Sequence, residues 1–117
     1  MAAEFSVDVT DSANPAAKVL VFKGEFDESV LESLKAQLDP LLNDANIQAL
    51  VLNFHDLEFI NSKGIGFLVS MHTHLTKDGR KMLMADAQQA VMDVVSLVGL
   101  TTIIPYFATV DDAVASL

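Results

Sequence analysis

The segment that organises this chain runs from residue 59 to residue 66 and reads Phe59-Ile60-Asn61-Ser62-Lys63-Gly64-Ile65-Gly66. An apolar run stops at Asn61 and Ser62, and a helical pattern begins there. Both residues can cap a helix, because their side-chain oxygens accept hydrogen bonds from the unpaired amides of the first turn. That helix end carries partial positive charge and would accommodate a phosphate on Ser62. Ser62 is therefore interpreted either as a simple cap or as a switch residue.

The helix that follows is predicted from Lys63 to about Lys77. At about 100° per residue, its apolar stripe contains Ile65, Leu68, Val69, His72 and Leu75. Phe67 projects on the opposite side, one turn from Ser62. Its ring either packs against a neighbouring loop or anchors a protein–protein contact, and both interpretations stay open. Gly64 and Gly66 would let another backbone or a partner approach the first turn closely.

Composition limits both the fold and the function. The chain has 117 residues and is 51% hydrophobic, which predicts a single domain over residues 1–117 with a proper core. Its net charge of −9, from 16 acidic and 7 basic residues, argues against nucleic acid as a partner. Absence of cysteine excludes disulfides and thiolate chemistry. Neither a leader segment nor a membrane-spanning stretch is predicted, so we expect a soluble, cytoplasmic protein without membrane insertion.

The N-terminal part of the chain predicts a β-hairpin followed by a helix. Residues 5–10 alternate between apolar and polar side chains, and residues 18–23 form a second strand that Gly24 ends. A helix then begins near Asp27 to Ser29, with capping-box spacing over residues 29–32. Pro40 interrupts its apolar stripe, which predicts a kink there or a helix that stops and restarts.

The rest of the chain predicts alternating strands and helices. The nearly all-apolar residues 48–54 are typical of a central strand that is covered on both faces, and residues 55–58 are predicted as a loop. The later elements are a strand at 82–85, a helix at 88–98 with a stripe of valines and Gly99 after it, a short edge strand or irregular connection at 102–107, and a last helix capped by Thr109 that buries Val114 and Leu117.

This order of elements defines the fold class. Strands that alternate with helices indicate an α/β domain with right-handed crossovers. We expect four to five strands in a mainly parallel mixed sheet, about four helices and an N-terminal hairpin.

No group of residues makes a positive case for catalysis. His72 lies on the core stripe of its helix and is interpreted as structural, whereas His74 is expected in solvent. His55 lies near Asp56 and Glu58, but no metal-ligand spacing repeats. The glycines form neither a P-loop nor a dinucleotide-binding pattern. We therefore predict a non-enzymatic protein without a metal or a cofactor.

Four motifs together carry a family resemblance. They are Gly24-Glu25-Phe26-Asp27, Val51-Leu52-Asn53-Phe54, the run from Leu57 to Gly66, and Val98-Gly99-Leu100. In order and spacing, over essentially the whole chain, the sequence resembles the STAS domain family, and within it the anti-sigma factor antagonists.

This resemblance implies a bacterial partner-switching regulator of transcription. Such an antagonist binds an anti-sigma factor that is usually also a serine kinase, which phosphorylates a serine at the start of the second helix. A phosphatase then resets the switch. Here the serine is Ser62, and Asp27 occupies the position of a family acid that lies close to it. The expected partner-binding residues are Asp27, Asn61, Ser62, Lys63, Gly64 and Phe67, in a monomer or weak dimer.

The run from Asn61 to Gly66, which we refer to as the switch segment, departs from the family pattern at two positions. Asn61 replaces the usual Asp, which keeps the capping ability and removes the charge. Lys63 replaces the usual Ser or Thr and brings a cation that could pair with a phosphate. An alternative reading from another class is an accessory STAS subunit of a membrane transporter, such as a lipid-trafficking ABC system, docking on its ATPase.

Overall fold

A five-stranded mixed sheet forms the centre of the computed structural model, which describes residues 4–117. The strands lie side by side in chain order: β1 (Ser6–Asp11), β2 (Ala17–Phe26), β3 (Ala49–Ile60), β4 (Lys81–Ala85) and β5 (Tyr106–Phe107). β1 is antiparallel to β2, and every later pair is parallel. The predicted α/β class, mainly parallel sheet and N-terminal hairpin are confirmed.

Four helices cover the two faces of this sheet. They are α1 (Leu31–Leu42), α2 (Ser62–Lys77), α3 (Gln89–Leu97) and α4 (Val110–Ala115). The first three contribute Leu38, Leu68 and Val95 to the larger core cluster on one face, whereas Ala113 of α4 packs against the other. Side chains alternate between the two faces of a strand, so the run of buried residues 49–52 shows that the first half of β3 is covered on both faces, as predicted. Within residues 4–117, no helix is long and apolar enough to cross a membrane.

Two predicted strand ends are wrong, and both corrections extend the sheet toward the switch segment. β2 continues through Gly24 to Phe26, and β3 continues through residues 55–58, predicted as a loop, to Ile60. Gly24 has a φ of +89°, and a Cβ there would lie 2.3 Å from the Glu4 carbonyl oxygen. The β2–β3 register shifts twice in this region, which lets pairing continue past the irregular residues.

The start of α1 also differs from the prediction. Asp27 caps a short 3₁₀ turn over Glu28–Val30 by accepting a hydrogen bond from the Ser29 main-chain N–H at 2.9 Å. The α-helix begins only at Leu31, so Ser29 is not its cap. Pro40 stands in the last turn, and the helix continues through it without stopping and restarting.

The C-terminal elements agree with the prediction except in the stripe of α3 and in the side chains that α4 buries. Ala113 is the buried residue of α4, whereas Val114 and Leu117 are only partly buried and Leu117 lies beyond the end of the helix. Gly99 follows α3 with a φ of +77°, and the Thr109 side chain caps α4 by accepting from the Asp112 main-chain N–H. Val98 was predicted in the buried stripe, but α3 ends at Leu97 and Val98 is 55% exposed.

Candidate functional site

Asn61 is the cap of α2, and Ser62 is the first residue of that helix. The Gly64 main-chain N–H donates to Asn61 Oδ1 at 3.0 Å. The main-chain N–H of Asn61 donates to the carbonyl oxygen of Phe26 at 3.1 Å, which ties the helix start to the end of β2. Ser62 is exposed. The reading of Ser62 as a simple cap is therefore wrong, because Asn61 fills that role.

Glu28 contacts the switch segment directly, a contact that the sequence did not reveal. Its Oε2 accepts a hydrogen bond from Asn61 Nδ2 at 2.6 Å. The pKa of Glu28 lies below its ordinary value, first because its own main-chain amide donates to the carboxylate and next because Asn61 does. The charge of Lys63 lowers this pKa further, whereas neighbouring Asp27 opposes the shift. Glu28 is separated from Asn61 by 33 positions, and no local pattern predicts such a pair.

Asp27 is engaged with its own turn. Its Oδ1 accepts from the Ser29 hydroxyl at 2.5 Å and from the Ser29 main-chain N–H. These two bonds, the hydroxyl first, lower the pKa of the Asp27 carboxyl. Asp27 is thus ionised next to Glu28, and the two carboxylates give this corner of the surface a negative charge.

The two glycines of α2 have different environments. Gly64 is buried, and a Cβ there would lie 3.0 Å from Ile60 Cγ1 and 3.1 Å from the Phe26 carbonyl oxygen. Gly66 is exposed, and a Cβ there would meet nothing within 4 Å. The close approach expected at Gly64 is therefore made by the chain's own β2, so this residue does not present a surface to a partner.

The aromatic side chains near the switch segment are arranged differently from the prediction. Phe67 is partly buried and meets Phe26 edge-on, with ring centroids 6.1 Å apart, so it packs on the core instead of projecting away from it. Phe59, which pairs in register with Glu25, is 46% exposed. The register shift just before it leaves Glu58 as an extra residue, so Phe59 turns outward while Ile60 is buried.

The three histidines are not gathered at the switch segment. His55 Nδ1 lies 3.2 Å from Asp86 Oδ2, and neither Asp56 nor Glu58 joins this pair. His72 is half-buried and His74 is exposed. In the part of the chain that the structure describes, no group of three or more histidine, aspartate or glutamate side chains could hold a metal ion.

The site therefore consists of an exposed hydroxyl at a helix N-terminus with charged neighbours of both signs. Glu28 and Asp27 provide the carboxylates, and Lys63, also exposed, provides the ammonium. A phosphate on Ser62 would lie in the positive field of the helix end, which suits an anion.

The chain belongs to the STAS domain family, whose model matches residues 5–113. A relative in Paenibacillus polymyxa, named anti-sigma F factor antagonist, is 22% identical over 89 residues, which are 76% of this chain and 76% of that protein. The chain is thus an anti-sigma factor antagonist-like STAS domain.

Solved structures share this fold. An anti-sigma factor antagonist from Mycobacterium paratuberculosis has a TM-score of 0.85 at 24% identity, with 99% of this chain and 97% of that one covered. The Bacillus cell fate determinant SpoIIAA in its phosphorylated form has a TM-score of 0.70 at 18% identity, with 97% and 98% covered.

Proposed function

We propose that this protein is a non-enzymatic partner-switching regulator that binds an anti-sigma factor with serine kinase activity. Binding releases a sigma factor, phosphorylation of Ser62 by the partner dissociates the complex, and a phosphatase resets the protein. The observation that carries this proposal is that the capping residue and the exposed hydroxyl at the start of α2 belong to two different residues. Asn61 caps the helix, so the exposed Ser62 hydroxyl is left for a kinase to reach.

The proposed binding face surrounds Ser62 on the surface. It combines Asn61 and Lys63 with the two carboxylates of the 3₁₀ turn, Asp27 and Glu28. Gly64 is left out because it is buried. Phe67 contributes only the exposed part of its ring, and Phe59 adds an exposed aromatic surface at the end of β3. Aromatic side chains of this kind often anchor protein–protein contacts.

The charges around Ser62 explain how phosphorylation would act. A phosphate adds about −1.5 to −2 charges at pH 7. In the free protein, the helix N-terminus and water stabilise that charge. In a complex it would be buried close to Glu28 and Asp27, where like charges repel and desolvation is costly. A loss of about 3 kcal/mol in binding free energy weakens a complex more than a hundredfold.

The two departures from the family pattern, Asn61 and Lys63, change how strongly a phosphate on Ser62 is repelled. Asn61 donates to Glu28, whereas an aspartate at that position would repel it. Lys63 follows Ser62 directly in the chain and is exposed, so its ammonium can turn to a phosphate on that serine. Both residues therefore make the electrostatic potential around Ser62 less negative, which reduces the repulsion on a phosphate there.

The test is affinity capture from a native lysate of the source organism with four baits: wild type, Ser62→Ala, Ser62→Asp and Ser96→Asp. Ser96 is an exposed serine on α3, so Ser96→Asp makes the same charge change away from α2. We expect the wild type, Ser62→Ala and Ser96→Asp to retain a kinase-fold anti-sigma factor that Ser62→Asp loses. Phosphorylation of the purified wild type by the captured kinase, and not of Ser62→Ala, would then assign the site.

Two results would overturn the proposal. Equal retention of that partner by all baits would show that Ser62 does not control binding. Capture of a transporter ATPase by every bait, with no kinase-fold protein, would favour the accessory-subunit reading and leave Ser62 as an ordinary surface residue.

A further inference from the structure

The outer edge of β1 is an open strand edge. β1 lies at one end of the sheet and pairs only with β2, and none of residues 4–117 forms a strand pair on its other side. Every residue of β1 except Val7 is exposed, and Val9 has 41% of its surface exposed. The main chain at this edge is therefore accessible to another strand.

One hydrogen bond shows which main-chain groups of β1 point outward. The Val7 carbonyl oxygen accepts from the Gln37 side chain of α1 at 2.6 Å, where an N–H of a further strand would otherwise stand. Main-chain groups alternate sides along a strand, so Val9 and Asp11 also direct their N–H and C=O outward. The main-chain groups of Thr10 point to β2 instead.

This edge is electrically neutral, although the chain is acidic. Both carboxylates of β1 have a lysine of β2 beside them, because Lys18 pairs with Asp11 and Lys23 Nζ lies 3.7 Å from Asp8 Oδ2. Residues 6–23 contain no other charged side chain, so the net charge of −9 lies elsewhere in the sequence. The edge offers no net charge to attract an acidic or a basic segment, but it lets a second copy of the chain approach without facing an unpaired carboxylate.

We propose that two copies of the chain associate through β1, antiparallel, with Thr10 of one copy opposite Thr10 of the other. Val9 of each copy would then lie opposite Asp11 of the other, and each such pair would exchange two main-chain hydrogen bonds. Threonines that face each other across antiparallel strands stabilise the pairing. The two five-stranded sheets would form one continuous sheet across a two-fold axis.

The two neighbouring registers are less favourable. In one of them Val9 would face Val9 of the second copy. The Asp11 N–H of that copy would then have to donate to the Val7 carbonyl oxygen, which already accepts from Gln37. The other register would place two Asp11 carboxylates directly opposite each other, and like charges in that position are destabilising. In the proposed register Val7 lies beyond the last strand residue of the second copy, so the Gln37 bond is retained.

The first test uses the absence of cysteine from the sequence. In a non-hydrogen-bonded antiparallel pair the two Cα atoms are about 4.5 Å apart, which a disulfide can span. Under mild oxidation, we expect purified Thr10→Cys to form a disulfide-linked dimer at least about tenfold faster than Ser96→Cys, whose thiol would lie on α3. Val9→Cys should be slower than Thr10→Cys, because residues offset by two positions lie about 7–8 Å apart. Equal rates at residues 10 and 96, or a faster reaction at residue 9, would overturn the proposal.

The second test is sedimentation equilibrium of purified protein without introduced cysteine. We expect a weak dimer whose dissociation constant rises at least about tenfold in Thr10→Lys, because two ammonium groups would lie opposite each other. Ser96→Lys makes a matched change at an exposed position on α3 and should leave the dissociation constant nearly unchanged. Equal effects of the two lysines would overturn the proposal. A wild type that stays monomeric up to its solubility limit would also overturn it and leave the edge to a strand of a different protein. Neither test involves an anti-sigma factor, so the result is independent of the proposed function.

Discussion

Asn61 joins three elements at the residue scale: it caps α2, bonds the end of β2 and holds Glu28 of the 3₁₀ turn. Asn61→Ala should therefore lower the free energy of unfolding by about 0.5–2 kcal/mol, the usual cost of losing a cap. Asn61→Ser keeps a capping oxygen and loses only the donor to Glu28, so it should cost a few tenths of a kcal/mol. Urea denaturation measures the free energy of unfolding of the two variants. Equal losses would mean that the hydrogen bond to Glu28 contributes more to stability than the cap does.

Gly64 and Gly66 provide a matched pair on one helix. An alanine in a helix is favoured over glycine by about 1 kcal/mol, so Gly66→Ala, with open space around it, should stabilise the protein by up to that amount. Gly64→Ala would force a methyl group against Ile60 and Phe26. Overpacking costs about 1–3 kcal/mol and should exceed the propensity gain, so we expect a net loss. Thermal or urea unfolding that shows Gly64→Ala to be the more stable variant would contradict this account of the helix start.

The ionisation of Glu28 makes its contribution to stability depend on pH. Its pKa is lowered from an ordinary value of 4.5, so its contribution to stability is present above pH 4.5 and is lost as the pH falls through the lowered pKa. An NMR titration of the Glu28 carboxyl should give a value below 4.5 in the wild type. Asn61→Ala should raise it only part of the way, because the main-chain amide of Glu28, the larger cause, remains. An identical pKa in the two proteins would show that the Asn61 bond is not formed in solution.

Arg80 connects elements that are distant in sequence. Its guanidinium donates to the carbonyl oxygens of Leu42 and Ile47 and to Asp78 Oδ2, so it holds the end of α1 and the loop after it against the start of β4. Only 5% of the residue is exposed.

Arg80→Met should therefore destabilise the protein by about 1–3 kcal/mol, because buried carbonyl groups lose their donor. Lys77→Met, which removes an exposed cation nearby, should change stability by no more than about 0.5 kcal/mol. Chemical denaturation of the two variants side by side is the measurement. Equal effects would mean that Arg80 acts through general charge and not through its hydrogen bonds.

The elements that the sequence predicted well are those with a local physical signal. The apolar run of β3, the buried Leu68 and Leu75 of the predicted α2 stripe, and the cap at Thr109 each depend on residues close in sequence. The predicted stripe missed Met71, which is also buried, and included Ile65, Val69 and His72, which are only partly buried. The errors arise where the signal is not local. Gly24 and residues 55–58 are typical of a strand end and a loop, yet β2 and β3 continue through them because each pairs with the other across two register shifts.

The same distinction applies to the candidate site. Ser62 and Asn61 could be recognised as a helix start from local capping chemistry, but which of them is the cap depends on the backbone. Glu28 reaches Asn61 through the fold, and Phe59 turns outward because of a bulge. Phe67 was predicted off the core from helical spacing alone, but Phe26 of β2 extends the core to reach it.

At the scale of the whole molecule, the proposed binding face lies at one end of α2. The residues around Ser62 lie at the N-terminus of this helix, and Asp27 and Glu28 bring two carboxylates to the same end.

The last prediction concerns how far from Ser62 a negative charge on that residue changes the structure. An aspartate in the first turn of a helix gains about 0.3–1 kcal/mol from the helix dipole, and repulsion from Glu28 and Asp27 opposes this gain. The free energy of unfolding of Ser62→Asp should therefore lie within about 0.5 kcal/mol of the wild-type value. Its amide NMR shifts should change only around residues 26–30 and 58–66, where the contacts of Asn61 and Glu28 lie. If the changes instead reach β4 and α4, phosphorylation would act by reshaping the domain, and the local charge mechanism would be wrong.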